Sequence, residues 1–312
     1  MTVSILRTAD DWWVHTPTGA VRIATAATTT GELIADRAAI HAAIGDSETV
    51  PLENLDLVSP ITVPCRVVAQ MTNYASHVRD AGMDPKEIPL TFFRKSSGSI
   101  SGPHDDVVRP PHVRFLDYEA EIGLVMGQET PVNSVITEDT IADYVAGLVI
   151  TNDISARDLQ LPKTQFYESK SYPSFTPTGP TLVLFDAEDW NRFGELRLRL
   201  WVNGEIRQDM TVADMIYLPV QALQALTRFQ HLSPGDVVLT GTPAGTALSA
   251  PPKPVEIISN LLPAAAKWRL FFKAQGRNPK YLKSGDVIEI AISTDDGKID
   301  LGSQRTTVRD AR

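Results

Sequence analysis

Two glutamates separated by a single residue are the clearest candidates for chemistry in this 312-residue chain. Glu119 and Glu121 lead directly into the apolar run Ile122–Met126. Because side chains alternate across a strand, residues two apart share a face and lie about 6.5–7 Å apart along the backbone. Two carboxylates on one face could converge on a hard divalent cation, which prefers oxygen ligands. A solvated strand face explains the same spacing, so the pair alone leaves both interpretations open.

A third carboxylate, Asp153, follows the apolar run Gly147–Thr151, at a strand end of the kind where site residues gather. The run Thr151-Asn152-Asp153-Ile154-Ser155 is equally typical of a helix N-cap. Arg157 and Gln160 lie three positions apart and become neighbours if a helix begins near Ser155.

Lys170 is the next candidate. A lone lysine is usually a solvated charge. Beside three carboxylates and a dication, its ammonium would instead stabilise a developing enolate. These charges sum to zero before a substrate binds.

A candidate base precedes the carboxylates. His77 and Asp80 are spaced so that they share one face of a helix. A carboxylate bonded to one imidazole nitrogen fixes the tautomer and raises the basicity of the other nitrogen, so the pair could activate a water. A surface ion pair explains the spacing as well.

The elements that must position these side chains are mostly short strands separated by turns, with few helices between them. This pattern favours a closed or folded β architecture over regular βαβ units. The predicted strands are Arg66–Met71, Ile122–Met126, Leu148–Thr151, Thr181–Phe185, Leu196–Val202, Asp236–Thr240 and Val287–Ser293.

The beginning of the chain reads as a small α+β unit. Val14–Thr25 is predicted to form a hairpin and Leu33–Ile44 a helix. The proline-rich stretch Thr49–Pro64 is predicted to be a linker. We therefore expect an N-terminal domain over residues 1–64 and a catalytic domain over residues 65–312.

Composition excludes several classes of function. The net charge of −9 argues against nucleic acid as the main partner. The absence of a run of ~18 apolar residues argues against a membrane span, and the N-terminal residues do not resemble a signal peptide. The single cysteine, Cys65, excludes an internal disulfide framework and fits a reducing compartment, so we expect a cytoplasmic protein.

One stretch differs from the acidic remainder. Ala247–Lys283 carries seven Lys or Arg residues and one acid. Within it, Leu261, Ala265, Trp268 and Phe272 fall at helical spacing, which predicts a short amphipathic helix. The stretch is either a surface excursion packed by its aromatic side chains, or a basic lid or dimer contact that attracts an anionic substrate.

Taken together and in order, these motifs resemble the fumarylacetoacetate hydrolase superfamily. The resemblance covers roughly residues 60–310. The matching residues are Asn73-Tyr74-x-x-His77, Asp117-Tyr118-Glu119-x-Glu121, Asn152-Asp153-x-x-x-Arg157-Asp158-x-Gln160, Ser169-Lys170, Gly179-Pro180, Thr240-Gly241-Thr242-Pro243-Ala244-Gly245, Ser284-Gly285-Asp286 and Leu301-Gly302.

The resemblance implies an α+β fold that is mostly β, built as a mixed β-sandwich roll with a small N-terminal domain, and a homodimer. It implies Mg²⁺ or Mn²⁺ bound by Glu119, Glu121 and Asp153, with Lys170 stabilising an enolate.

The resemblance also implies a substrate pocket and a base. Arg157, Gln160 and Thr242 would line the pocket. His77 would activate a water, with Asp80 at the position where acylpyruvate-cleaving relatives have a glutamate.

The implied reaction is metal-dependent C–C hydrolysis of a small anionic acylpyruvate or β-diketo acid, similar to fumarylpyruvate or fumarylacetoacetate. The same site would also support decarboxylation or tautomerisation of oxaloacetate, or hydration and dehydration of a 2-oxo acid. A non-catalytic binding protein that keeps the fold is a further alternative.

Overall fold

The computed structural model describes residues 2–46, 48–163, 165–248 and 262–311. The strands in these ranges, β1 to β17 in chain order, are Val3–Arg7, Trp12–Thr16, Gly19–Arg22, Val67–Met71, Thr91–Lys95, Ile100–Ser101, Val107–Arg109, Leu116–Asp117, Ala120–Met126, Val145–Asn152, Ser155–Ala156, Thr176–Leu184, Arg197–Val202, Glu205–Thr211, Val237–Leu239, Val287–Ser293 and Asp300–Asp310. The α-helices, α1 to α9, are Thr30–Ala35, Arg37–Ile44, Ala75–Asp80, Ile141–Tyr144, Arg157–Gln160, Tyr167–Lys170, Ala187–Trp190, Pro219–Leu226 and Ala264–Gln275. Short 3₁₀ helices span Leu52–Asn54, Pro85–Glu87, Ser97–Ser99, Phe193–Glu195 and Val212–Asp214.

Most strands belong to two sheets. The larger sheet has the order β3-β2-β1-β12-β10-β9-β15-β4-β5, and β6 also pairs with β12. The smaller sheet has the order β14-β13-β16-β17-β7, and β8 pairs separately with β11. The fold is therefore α+β and mostly β, as the sequence predicts.

The larger sheet curls back towards itself. Strand β5 is at one edge, yet β6, which follows it closely in the chain, pairs in parallel with β12 in the middle of the sheet. Alternation places Lys95 on the same face as Val67, with which it is paired. The curl directs that face inwards, so side chains from distant strands meet on the concave side.

The two faces of the larger sheet pack against different partners. Leu124 and Leu148 on one face pack in a single buried cluster with Leu200 and Ile290 of the smaller sheet. This contact forms the sandwich. On the concave face, Val67, Ala69, Val125 and Val149 form a second buried cluster with Ile5, Trp12 and Leu33 of the N-terminal strands and helices. The acidic and basic side chains discussed below lie at one end of this concave face.

The N-terminal segment extends the larger sheet. The predicted hairpin is present as β2 and β3, and β1 pairs antiparallel with β12. The domain boundary at residue 64 stays a prediction. The helix predicted over Leu33–Ile44 is instead two helices, because Asp36 interrupts it: the Asp36 backbone ends α1, and its carboxylate accepts a hydrogen bond from the Ala39 N–H (3.2 Å) to cap α2.

The helix predicted within the basic stretch is present as α9, although Leu261 lies outside the described residues. Across the described ranges, no helix has the length and apolar character needed to cross a membrane.

The close approach of β10 to β12 requires a glycine in β10. A Cβ atom at Gly147 would lie 2.2 Å from the carbonyl oxygen of Val183 in β12. We predict that Gly147→Ala lowers the free energy of unfolding by about 1–3 kcal/mol or more, because the strands must separate. Urea denaturation of the purified variant would measure this.

Gly194→Ala is the matched control, because a Cβ atom there meets no atom within 4 Å. Equal stability of the two variants would contradict the role assigned to Gly147.

Candidate active site

Three carboxylates meet where β9 begins and β10 ends. The Asp153 N–H donates to the Glu119 carbonyl (2.9 Å), and Glu121 is paired with Thr151 across the two strands. All three side chains are buried, and each offers an oxygen within 4.8 Å of the others. The structure thus brings together Glu119, Glu121 and Asp153, the predicted metal ligands.

Lys170 bridges two of these carboxylates. Its Nζ donates to Glu119 Oε2 (2.6 Å) and to Asp153 Oδ2 (2.6 Å), and the side chain is buried at the end of α6. Burial alone would lower the pKa of Lys170, but Asp153 and Glu119 outweigh it, and the pKa is raised. In the metal-free protein the Lys170 side chain is therefore an ammonium near neutral pH.

A second lysine, which the sequence analysis missed, completes the cluster. Lys95 ends β5, and its buried Nζ donates to Asp153 Oδ1 and to the Phe175 carbonyl (2.8 Å). Burial lowers the pKa of Lys95, and Asp153 opposes that shift. The available sequence signal was alternation: Lys95 shares a strand face with the aromatic Phe93, which is an unusual place for a solvated charge.

Arg157 connects this cluster to Asp117 and Gln160. Its Nε donates to Asp117 Oδ2 (2.8 Å), its Nη1 to Gln160 Oε1 (2.8 Å) and its Nη2 to Glu119 Oε1. The predicted helix begins at Arg157, so Arg157 and Gln160 are indeed neighbours. Asp117 had been given no role from the sequence.

The pKa values of the two glutamates are shifted in opposite directions, although the two side chains share a strand face. Burial raises the pKa of Glu119, but Arg157 and Lys170 outweigh burial and lower it to about 2. Burial raises the pKa of Glu121 well above its usual range, and repulsion from Asp153 and Glu119 adds to the shift. Without a dication, Glu121 is therefore harder to ionise than Glu119.

Thr242 supports the strand that carries the glutamates. Its hydroxyl donates to the Ala120 carbonyl (3.0 Å) and accepts from Gln208 Nε2 (2.9 Å). The preceding Gly241, at φ +85°, directs its N–H to Glu121 Oε2 (2.8 Å). In this structure the Thr242 hydroxyl is thus occupied by protein groups, and its predicted role in substrate binding stays a prediction.

The predicted base is near the cluster, but its predicted helper does not contact it. Burial lowers the pKa of His77, and the charge of Glu119 opposes that shift, so the imidazole is neutral near pH 7. Asp80 is exposed, and no hydrogen bond of the described chain joins it to His77. Helix α3 is held instead by Asp214, which accepts a hydrogen bond from the Ser76 N–H (2.8 Å). The catalytic roles of His77 and Asp80 stay predictions.

The donor set fits a hard divalent cation. Buried carboxylates in mutual reach are the ligands that Mg²⁺ and Mn²⁺ prefer. The Glu121 carboxylate accepts a single described hydrogen bond, from the Gly241 N–H, so it keeps acceptor capacity for an ion. Glu119, Glu121 and Asp153 would hold the cation, with Lys170 beside it.

The fold and this site define a class of proteins with a buried carboxylate triad on a rolled β-sheet. A family profile described as Fumarylacetoacetate (FAA) hydrolase C-terminal matches residues 66–309. The chain belongs to the fumarylacetoacetate hydrolase superfamily, as its motifs predict.

Similar proteins carry several activities in their names. A Rattus norvegicus protein named mitochondrial oxaloacetate tautomerase Fahd2a is 32% identical over 206 residues, which is 65% of this chain and 63% of that relative. The chain thus spans under two thirds of that relative. A crystal structure of a probable 2-hydroxyhepta-2,4-diene-1,7-dioate isomerase from Mycobacterium abscessus has a TM-score of 0.75 at 31% identity, with both chains covered completely. A fumarylacetoacetate hydrolase from Exiguobacterium antarcticum has a TM-score of 0.70 at 26% identity, also with complete coverage.

We predict that Lys95→Met destabilises the metal-free protein by about 3–5 kcal/mol, since Asp153 loses a buried ammonium partner. Added Mg²⁺ should raise the melting temperature of this variant more than that of the native protein, because the ion replaces the lost positive charge. Thermal unfolding with and without Mg²⁺ would measure both effects.

Lys163→Met is the control, because its pair with Glu168 is exposed and such pairs contribute about 1 kcal/mol or less. A Lys95→Met variant no less stable than the control would refute the structural role of Lys95.

We predict that Mn²⁺ binding releases protons and weakens as the pH falls. Glu121 has a raised pKa in the metal-free protein and must lose its proton to bind the ion. Calorimetric titrations in buffers of different ionisation enthalpy would measure the released protons. A binding enthalpy that is independent of the buffer would contradict this prediction.

Proposed function

We propose that this protein is a divalent-metal-dependent enzyme that interconverts the keto and enol forms of a small 2-oxo diacid such as oxaloacetate. The observation that carries the proposal is the pair of hydrogen bonds from Lys170 to Glu119 and Asp153. They hold the Lys170 side chain beside the place where the triad would hold a cation. An enolate oxygen formed there would face two positive charges.

The charge of the site supports an anionic substrate. The buried carboxylates Asp117, Glu119, Glu121 and Asp153 outnumber the cationic Lys95, Lys170 and Arg157 by one. A bound dication would therefore make the cluster net positive, which favours a carboxylate-bearing ligand. A small anionic 2-oxo or β-diketo acid is accordingly the partner we propose.

The chain's own groups divide the work of enolisation. A bound cation would supply a Lewis acid for the 2-oxo oxygen. Lys170 would donate a hydrogen bond to that oxygen as negative charge develops on it. Arg157, whose Nη1 and Nη2 bind only Gln160 and Glu119 among described groups, would reorient slightly to hold a substrate carboxylate. The proton lost from carbon could pass to water, so no oriented hydrolytic dyad is required.

C–C hydrolysis of an acylpyruvate or β-diketo acid is the second candidate. The specific observation in its favour is the half-buried imidazole of His77, whose pKa is lowered by burial against the opposing charge of Glu119, so that it is neutral near pH 7. Such a base could take a proton from water. The lack of contact between His77 and Asp80 is the reason that hydrolysis ranks second here. Oxaloacetate decarboxylation and 2-oxo acid hydration use the same enolate and would appear in the same assays.

The test distinguishes enolisation, which both candidate reactions share, from hydrolysis of the C–C bond. We predict that oxaloacetate tautomerisation, followed by enol absorbance, is lost on adding EDTA and falls ~10²–10³-fold in kcat for Lys170→Met. Glu121→Gln should lose activity together with Mn²⁺ binding. His77→Gln should retain tautomerisation, because water can carry the proton, while any acylpyruvate hydrolysis disappears.

One control variant and two possible outcomes decide the interpretation. Lys163 is an exposed lysine close to α6, the helix that carries Lys170. The Lys163→Met variant should leave the rate of oxaloacetate tautomerisation unchanged. Tautomerisation that is insensitive to EDTA would overturn the proposal. If the protein hydrolyses an acylpyruvate faster than it tautomerises oxaloacetate, C–C hydrolysis is the better-supported function.

A homodimer and a cytoplasmic location are further proposals. The first rests on the family and the second on the single cysteine. Sedimentation velocity and cell fractionation would test them.

A further inference from the structure

The buried carboxylate of Asp117 collects hydrogen bonds from three parts of the chain. It accepts from the N–H groups of Ala247 (2.7 Å) and Leu248 (3.0 Å), from its neighbour Tyr118 (2.9 Å), and from Arg157 Nε (2.8 Å). The side chain is fully buried. A carboxylate so placed is satisfied on both oxygens and cannot move without breaking several bonds.

The start of the basic stretch is therefore joined to the site through one side chain. Ala247 and Leu248 are the last described residues before that stretch continues. Their amides bind the same carboxylate that holds Arg157 Nε. The Ala247 carbonyl accepts in turn from Asn278 Nδ2 (2.7 Å), which follows α9. The start of the stretch is thus bonded directly to Asp117, and Asn278, near its end, is connected to Asp117 through Ala247.

Helix α9 reaches Arg157 by a second route. The Phe272 ring stacks on Phe115, with centroids 5.8 Å apart and planes 18° apart. The Phe115 carbonyl accepts the backbone N–H of Arg157 (2.9 Å). Tyr281 packs on Phe115 at 5.0 Å, and its hydroxyl donates to Gln275 Oε1 (2.8 Å) at the end of the helix. The aromatic contacts therefore fix the backbone from which the Arg157 side chain extends.

These two routes restrain different parts of one arginine. Asp117 fixes the guanidinium edge at Nε, and Phe115 fixes the main chain. The remaining nitrogens, Nη1 and Nη2, are left pointing at Gln160 and Glu119. A planar guanidinium held at one edge presents its other edge in a defined direction, which suits a carboxylate ligand.

We propose that Asp117 and Phe272 are positioning residues for substrate binding: Asp117, held by the amides of Ala247 and Leu248, and the stack of Phe272 of α9 on Phe115 together set the orientation of Arg157. The inference rests on the proposed function in one respect, namely that Arg157 holds a substrate carboxylate. It assigns α9 a role in aligning the site, which differs from attracting the ligand by charge.

The experiment uses oxalate, a planar dicarboxylate similar to the enolate of a 2-oxo acid, with Mn²⁺ bound to the whole protein. By calorimetry, Asp117→Asn should weaken oxalate binding about 10- to 100-fold. Phe272→Ala should weaken it about 2- to 30-fold. Both variants should bind Mn²⁺ alone with an affinity within about threefold of the native protein, because neither side chain is one of the three proposed ligands.

Leu270→Ala is the matched control on the same helix, because the Leu270 side chain is 51% exposed. It should leave oxalate binding unchanged. Lys273→Ala separates alignment from charge: a loss of affinity as large as that of Phe272→Ala would overturn the proposal in favour of electrostatic attraction.

A double-mutant test asks whether both residues act through Arg157. In an Arg157→Lys background, Phe272→Ala and Asp117→Asn should each change oxalate affinity by less than about twofold. Additive losses in that background would overturn the proposal. Hydrogen exchange of the metal-free protein adds a readout that needs no ligand: Asp117→Asn should speed exchange at Ala247 and Leu248, and unchanged exchange would also count against it.

The outcomes also separate this inference from the proposed function. A native protein that fails to bind Mn²⁺ refutes the proposed function. A native protein that binds Mn²⁺ and oxalate, with variants that bind oxalate equally well, refutes the positioning role alone. If Asp117→Asn does not fold, Phe272→Ala carries the test, because its ring is only partly buried at the edge of the cluster.

Discussion

The structure depends on the pairing of charges that have been removed from water. Glu119, Glu121 and Asp153 are buried within a few ångströms of one another, and an isolated buried carboxylate is strongly disfavoured. Lys170, Lys95 and Arg157 make the arrangement tolerable, since each donates to at least one of the acids or to Asp117. Glu121 is the member with no ammonium or guanidinium partner among the described contacts, so it is where a cation would relieve the most repulsion.

The curl of the larger sheet makes this pairing geometrically possible. In a flat sheet, β5 and β10 would be separated by three intervening strands, and Lys95 could not reach Asp153. Because β6 returns to β12, the end of β5 faces the end of β10 across the concave side. The anchoring bond from Lys95 to the Phe175 carbonyl, immediately before β12, joins the same two regions. The ion cluster and the closed sheet therefore stabilise each other.

Local spacing and the resemblance to the family together predicted much of this site, and what they missed depends on tertiary geometry. The alternation of Glu119 and Glu121 and the position of Asp153 after a strand left the convergence of the three acids as one of two open interpretations, and the resemblance selected it. Lys95 was missed because its contact with Asp153 requires the curl, which no local pattern encodes. The contact expected between His77 and Asp80 is absent from the structure although both lie on α3, because a shared helix face permits a contact without requiring it. The predicted helix over Leu33–Ile44 was interrupted by a single capping aspartate.

The pairing of β1 with β12 has a consequence for biosynthesis. Val3, Ser4 and Ile5 find their partners at Leu184, Val183 and Leu182. During translation the first strands must wait for that distant segment to leave the ribosome, and closing so long a loop carries an entropic cost. Until then the apolar side chains of the nascent amino-terminal region have no sheet to cover. The amino-terminal strand therefore cannot complete its pairing in the larger sheet until the segment up to Leu184, in the middle of the 312-residue chain, has been synthesised.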